Sequence, residues 1–245
     1  MIPILLAVLL GGCVSKTAVS RSAAQMDLGT AYYKEGKVEL AIETLTTAAE
    51  LDPQNWRARS NLAIAYIAKG EAHLAERSFR QALRIAPDEA EVLNNYATYL
   101  LSQGRADEAL QRLRLALRDL DYRNPAVLYS NLAGALIAKG ELEEAEKSAE
   151  EAVRRMPMLC DGYYQLARVQ EAQKDVSAAL DAYARLAQAC PGSALDAKVK
   201  VGCLQLRSGH SDLGAALLEE VVVAARGTSS EREARVCLGS EDGRD

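Results

Sequence analysis

Small, large and polar positions return along this chain at an interval close to 34 residues. Gly36, Gly70 and Gly104 lie 34 apart, Gly140 follows after 36, Lys174 takes the slot 34 later, and Gly209 comes 35 beyond it. On either side of each slot apolar residues recur with the spacing of an amphipathic helix, and Pro53, Pro87, Pro157 and Pro191 close the second run of four units. The interval predicts six helix-turn-helix units of the tetratricopeptide type at residues 22–55, 56–89, 90–125, 126–159, 160–193 and 195–228. The fold class expected is all-α, a superhelical solenoid.

The register predicts packing as well as elements. The eighth position of each unit is Gly29, Ala63, Ala97, Ala133, Ala167 and Gly202, and the twentieth is Ala41, Ala75, Ala109, Ala145, Ala179 and Gly214. Small side chains there let two helices cross closely while larger neighbours interlock. Leu28, Leu62, Tyr96, Leu132, Leu166 and Val201 fill the large position before, and Leu45, Phe79, Leu113 and Tyr183 close the pair from the second helix. Repeats five and six depart from the pattern, with Gln170 and Gln205 where Tyr32 and Tyr66 stand earlier. Residues 229–245 are polar and are expected to form a C-terminal tail, with Val236 and Leu238 as its apolar contacts.

Composition narrows the function. One Phe, one Trp and abundant small aliphatics suit helix packed on helix. The net charge of −5 is spread over interleaved acidic and basic residues, so no basic stripe exists to release counterions from a phosphate backbone, and nucleic acid is not an expected partner. Of the two histidines, His73 and His210, neither sits in a metal-ligand pattern, and no phosphate loop, nucleophile elbow or HExxH stretch is present. No enzyme, metal, cofactor or small-molecule substrate is expected.

Residues 2–10 form an apolar run too short for a bilayer, which needs roughly 20 helical residues. It ends in Leu10-Gly11-Gly12-Cys13, similar to the bacterial lipobox, so residues 1–12 read as a signal peptide and Cys13 as an acylated N-terminus with a tether over 13–21. No Lys or Arg precedes the run. Val14 follows the cysteine where Asp would suggest inner-membrane retention, which points to an outer-membrane lipoprotein facing the periplasm. The other four cysteines leave alternatives open: Cys160 and Cys190, at neighbouring ends of one helix pair, as a disulfide; Cys203 and Cys237 as another; or small buried thiols.

A partner-binding groove is expected on the first helix of each unit. The sixth position reads Asp27, Asn61, Asn95, Asn131, Gln165, Lys200. An amide carries both a donor and an acceptor and suits a peptide backbone, while Tyr33, Ile64, Ile67 and Leu101 offer apolar anchors beside it.

The segment Val92-Leu93-Asn94-Asn95-Tyr96-Ala97-Thr98-Tyr99-Leu100, followed by Gln103-Gly104-Arg105, resembles the third-repeat signature of the type IV pilus pilotins, with Ala97 for the usual Gly and Tyr99 for Phe. The lipobox, the long third repeat leading through Tyr122-Arg123-Asn124-Pro125, and the six units fit that family's layout. The resemblance implies a lipoprotein that binds the pilus secretin, brings it to the outer membrane and promotes its multimer assembly, and it adds Asn94 to the groove. The alternative is a lipoprotein scaffold for another envelope complex, such as a cell-wall enzyme assembly or a polysaccharide exporter.

Overall fold

A computed structural model describes residues 15–239; the signal-like run, Cys13 and residues 240–245 lie outside the described residues. Among the described residues there are thirteen α-helices and one 3-10 turn, and no strand. The first six pairs of segments are α1 (Lys16–Lys34) with α2 (Val38–Leu51), α3 (Trp56–Lys69) with α4 (Ala72–Ile85), α5 (Ala90–Ser102) with α6 (Ala106–Ala116), α7 (Pro125–Lys139) with α8 (Leu142–Arg155), α9 (Cys160–Ala172) with α10 (Val176–Ala189), and α11 (Ala194–Arg207) with α12 (Ser211–Ala224). A thirteenth helix, α13 (Ser229–Cys237), follows. The architecture is therefore an all-α repeat of helix pairs, in the register the small residues set. It divides into two compact units, 1–96 and 97–245, the division falling within α5.

The helix ends follow from local chemistry. The slot between the helices of a pair requires a left-handed residue: Gly70 adopts φ 82° and returns its N–H to the last turn of α3. Lys174 holds the same slot in the fifth pair at φ 65° and is the one non-glycine residue with positive φ among those described, a conformation in which its Cβ crowds the carbonyl. Each second-helix proline stands two residues beyond the helix it closes, so its missing N–H leaves no helical bond unmade.

In the first unit, Leu62 of the second pair packs onto Ala41 and Leu45 of the first, with Tyr32 and Tyr66 at the margin. This contact explains Leu28. It occupies the position equivalent to Leu62, but no helix pair precedes it among the described residues, and it is 42% exposed instead of filling a core. Phe79 and Tyr96 stack at 5.3 Å between centroids. In the second unit one cluster joins Ala167, Tyr183, Leu186 and Ala197, and another joins Val199, Leu218, Val221 and Ala234.

Two segments differ from their sequence reading. The tether expected over 13–21 is helical from Lys16: Ser15 caps α1 by accepting from the Ala18 N–H at 3.1 Å, and buried Ser22 donates to the Ala48 carbonyl at 2.7 Å. The expected tail over 229–245 contains α13, whose start is capped by Thr228 accepting from Glu231 N–H and whose Glu231 carboxylate accepts from Gly227 N–H. The helix is fixed on α11 and α12 through Ala234 and half-buried Leu238, while Val236 is exposed instead of docked.

Disulfides join Cys160 to Cys190 and Cys203 to Cys237, with Cα separations of 5.8 and 5.6 Å. The first closes the ends of the fifth pair, and the second ties α13 to α11, so the two pairings coexist.

Candidate functional site

The first helices carry the amide series, and its geometry follows from the register. Asn61 donates its amide N–H to Thr30 Oγ1 at 3.0 Å, and Thr30 is the ninth residue of the preceding repeat. Asn95 would meet Ile64 at that place, which accepts nothing; it turns to Ser60 Oγ at 3.4 Å instead. In the second unit Asn131 donates to Thr98 Oγ1, also at 3.4 Å, and the Gln165 amide lies over Gly134, where a side chain would come within 3.4 Å of it. The three position-six asparagines thus clasp the first helix of the preceding repeat, whereas the Gln165 carbonyl oxygen accepts from Arg168 of its own helix.

That clasp still leaves chemistry for a partner. Asn61 and Asn95 each make one bond to the described residues, so each retains a carbonyl oxygen and a second N–H on a half-buried, pre-oriented side chain. Among the described residues no helix precedes the one that carries Asp27, which is exposed, as are Tyr33 and Ile67, while Ile64 and Leu101 are half-buried. Asn94 does not belong to this surface. It is buried at 8% exposure because position five lies 100° round the helix from position six and faces inward, as Ser60 and Ser130 do in neighbouring repeats. The structure therefore places Asn61, Ile64 and Asn95 on first helices of one unit, and Leu101, Asn131 and Gln165 on those of the other.

A polar cleft in the second unit is not evident from the amide series. It measures about 330 Å³ and is lined by Tyr164, Arg168 and Glu171 of α9, Lys200 and Arg207 of α11, and Glu233 of α13. Tyr164, Arg168 and Glu171 stand at spacings of four and three, one face of a helix, and this was the signal available in the sequence. Glu171 accepts from Arg207 at 2.7 Å and from the Tyr183 hydroxyl at 2.5 Å. Burial, then the Glu171 carboxylate, push the Tyr183 phenol far up, so it stays protonated as a donor. Burial pulls the Lys200 ammonium down, but the Glu233 hydrogen bond and charge outweigh it and hold the net shift upward. Two ion pairs, Arg207–Glu171 and Lys200–Glu233, cross the cleft, while Arg168 donates to the Gln165 amide oxygen at 2.9 Å. Both histidines are exposed, and among the described residues no group of His, Cys, Asp or Glu is arranged to hold a metal.

Residues 26–90, 97–157 and 130–194 match a tetratricopeptide repeat model, and residues 66–121 match a second one. No curated protein sequence matches the chain. Among solved structures, the chain is similar to PilW, described as a widely conserved type IV pilus biogenesis factor, at 21% identity and a TM-score of 0.79, covering 86% of this chain and 96% of that one. It is similar to PilF of Pseudomonas aeruginosa at 25% identity and a TM-score of 0.73, covering 90% and 99%. YrrB, described as a tetratricopeptide protein with an unusual peptide-binding site, is similar at 19% identity and 0.53 over 68% and 85%.

Proposed function

The chain belongs to the tetratricopeptide repeat family, and from that premise we propose that it is an outer-membrane lipoprotein pilotin, which binds the type IV pilus secretin and promotes its localisation and multimer assembly. The observation that carries this reading is the extent of the fold likeness: the match runs over nearly the whole of PilW and PilF, not over a shared pair of repeats. The Cys13 lipobox and the Asn94-Asn95-Tyr96 segment support the same assignment.

The mechanism divides between anchor and surface. Acyl chains at Cys13 hold the protein at a membrane, because each buried methylene contributes about 0.8 kcal/mol and more than one chain makes attachment stable. The first-helix surface then grips a protein segment, with Asn61 and Asn95 already oriented by Thr30 and Ser60 so that less side-chain freedom is lost on binding. Monomers gathered on a surface oligomerise at a raised effective concentration.

A deletion strain examined for heat-resistant secretin multimers tests the proposal. Loss of multimers and of surface motility, restored by the wild type and not by Cys13→Ala, is the expected result. Normal multimers in the deletion strain would remove the pilotin reading and leave a scaffold for some other envelope complex.

A further inference from the structure

Two adjoining cavities of about 330 and 180 Å³ open in the first unit among α2, α3 and α4, and Pro53, Arg59 and Gln81 line both. Arg77 borders the larger and Arg84 the smaller; Glu50 is the one carboxylate in the lining. Arg59 is committed only to neutral acceptors, its Nη1 donating to Gln81 Oε1 at 3.1 Å and its Nη2 to the Pro53 carbonyl at 3.4 Å. Its Nε–H is buried with no acceptor. Neither Arg77 nor Arg84 has an ion pair or hydrogen bond to any described residue. Three guanidinium groups with open donors border these two adjoining cavities, which share the Arg59 wall, and one of the three also keeps a buried Nε–H without an acceptor; together they fit an oxyanion with several acceptor oxygens.

The position of the crevice selects the source of that oxyanion. Ser22 of α1 bonds to the carbonyl of Ala48 near the end of α2 and accepts from Asn55 in the following loop, at 2.7 and 2.9 Å. The start of α1, six residues earlier and so about 9 Å further along, lies at the same end of the unit as Pro53 and the crevice. Cys13 stands two residues before the cap Ser15 in the sequence. An acyl chain at Cys13 therefore brings lipid headgroups to this end. Trp56, which opens α3 there, carries the Arg57 guanidinium 4.2 Å over its ring, a pair suited to a headgroup layer. Glu50, Asp52 and Glu91 keep the end from being uniformly basic, and Arg57 is shared with Glu91 at 3.7 Å.

We infer that the Arg59–Arg77–Arg84 crevice binds the phosphate of an anionic membrane lipid, fixing the orientation of the first unit on the leaflet that holds its anchor. The inference rests on the lipoprotein reading of Cys13 and specifies what the body does once anchored. Trp56, the only tryptophan, sits one helical turn from Arg59 and reports occupancy.

The acylated full chain in neutral maltoside micelles is titrated with dihexanoyl phosphatidylglycerol, dihexanoyl phosphatidylcholine, inorganic phosphate or hexaglutamate while Trp56 emission is followed. Phosphatidylglycerol should give a saturable change that weakens at least tenfold in Arg59→Gln with Arg84→Gln, and phosphatidylcholine should give none. Arg77→Gln with Arg84→Gln, which breaks no bond to a described residue, carries the same test if the first variant loses helicity. An equal response to both lipids, unchanged affinity in the variants, or phosphate or hexaglutamate binding as tightly as phosphatidylglycerol would overturn the inference. Labelled palmitate incorporation at Cys13 is read separately; phosphatidylglycerol binding without label would remove the anchor and leave the crevice.

Discussion

The first two helix pairs and the last two solve the same packing problem with different materials. In α1 to α4 the crossing positions are Gly29, Ala41, Ala63 and Ala75, the slots are Gly36 and Gly70, and the core is closed by Leu45, Leu62 and Phe79 with no covalent link. In α9 to α13 a slot is Lys174, Gln170 is buried against Glu146, the Gln205 side-chain amide oxygen is buried without a donor, and two disulfides hold the helices. Covalent closure stands where the repeat pattern is weakest. A repeat array is stabilised by each unit and by its neighbours, so a unit with poor local consistency gains most from a constraint that does not depend on those neighbours.

The largest effect that would sharpen this contrast comes from the cysteines. Replacing either pair by serine releases a loop of 30 or 34 residues and should remove about 3 to 4 kcal/mol by chain entropy. Amide hydrogen exchange should lose protection in α9 to α13 and keep it in α2 to α4; equal loss in both would break the comparison. Next in size is Gly214→Ala. A Cβ there would meet the Gly202 carbonyl at 2.7 Å and the Leu206 backbone N at 2.8 Å, which cannot yield, so urea unfolding should show a loss of about 2 to 3 kcal/mol. Gly29→Ala, whose nearest obstacle is the Leu45 side chain at 2.7 Å, should cost less, about 1 kcal/mol. The smallest expected change is a gain: Lys174→Gly relieves a left-handed lysine and should add about 1 kcal/mol, read as a higher melting temperature.

Much of the fold was legible because glycine, alanine and proline act locally. The slot at Lys174 could be placed from its neighbours at Gly140 and Gly209, and the helix ends followed from the prolines. The two termini were harder to read. Polar residues at 16–21 and 229–237 look like tether and tail by composition, yet a Ser and a Thr cap were enough to start a helix at each, and burial of Ser22 and Ala234 fixed them. The candidate surface was legible only in part. Position six could be found by counting, but that its amides would bond to Thr30, Ser60 and Thr98 depends on which hydroxyl the preceding helix offers, a pairing across 31 to 35 residues. Asn94 shows the cost of carrying a motif over whole: one residue's step along a helix turns a side chain from the surface to the interior.

The paired sulfurs also set how the chain yields to tension. A cross-link between positions 30 apart withholds about 100 Å of extended backbone, and one between positions 34 apart about 120 Å. Pulled from its two ends, the protein would lengthen by unravelling hairpins nearer its amino terminus, while the stapled loops stayed inextensible until reduced. Extension under force would thus fall unevenly along the array, with compliance in the early pairs and a fixed length in the stapled ones.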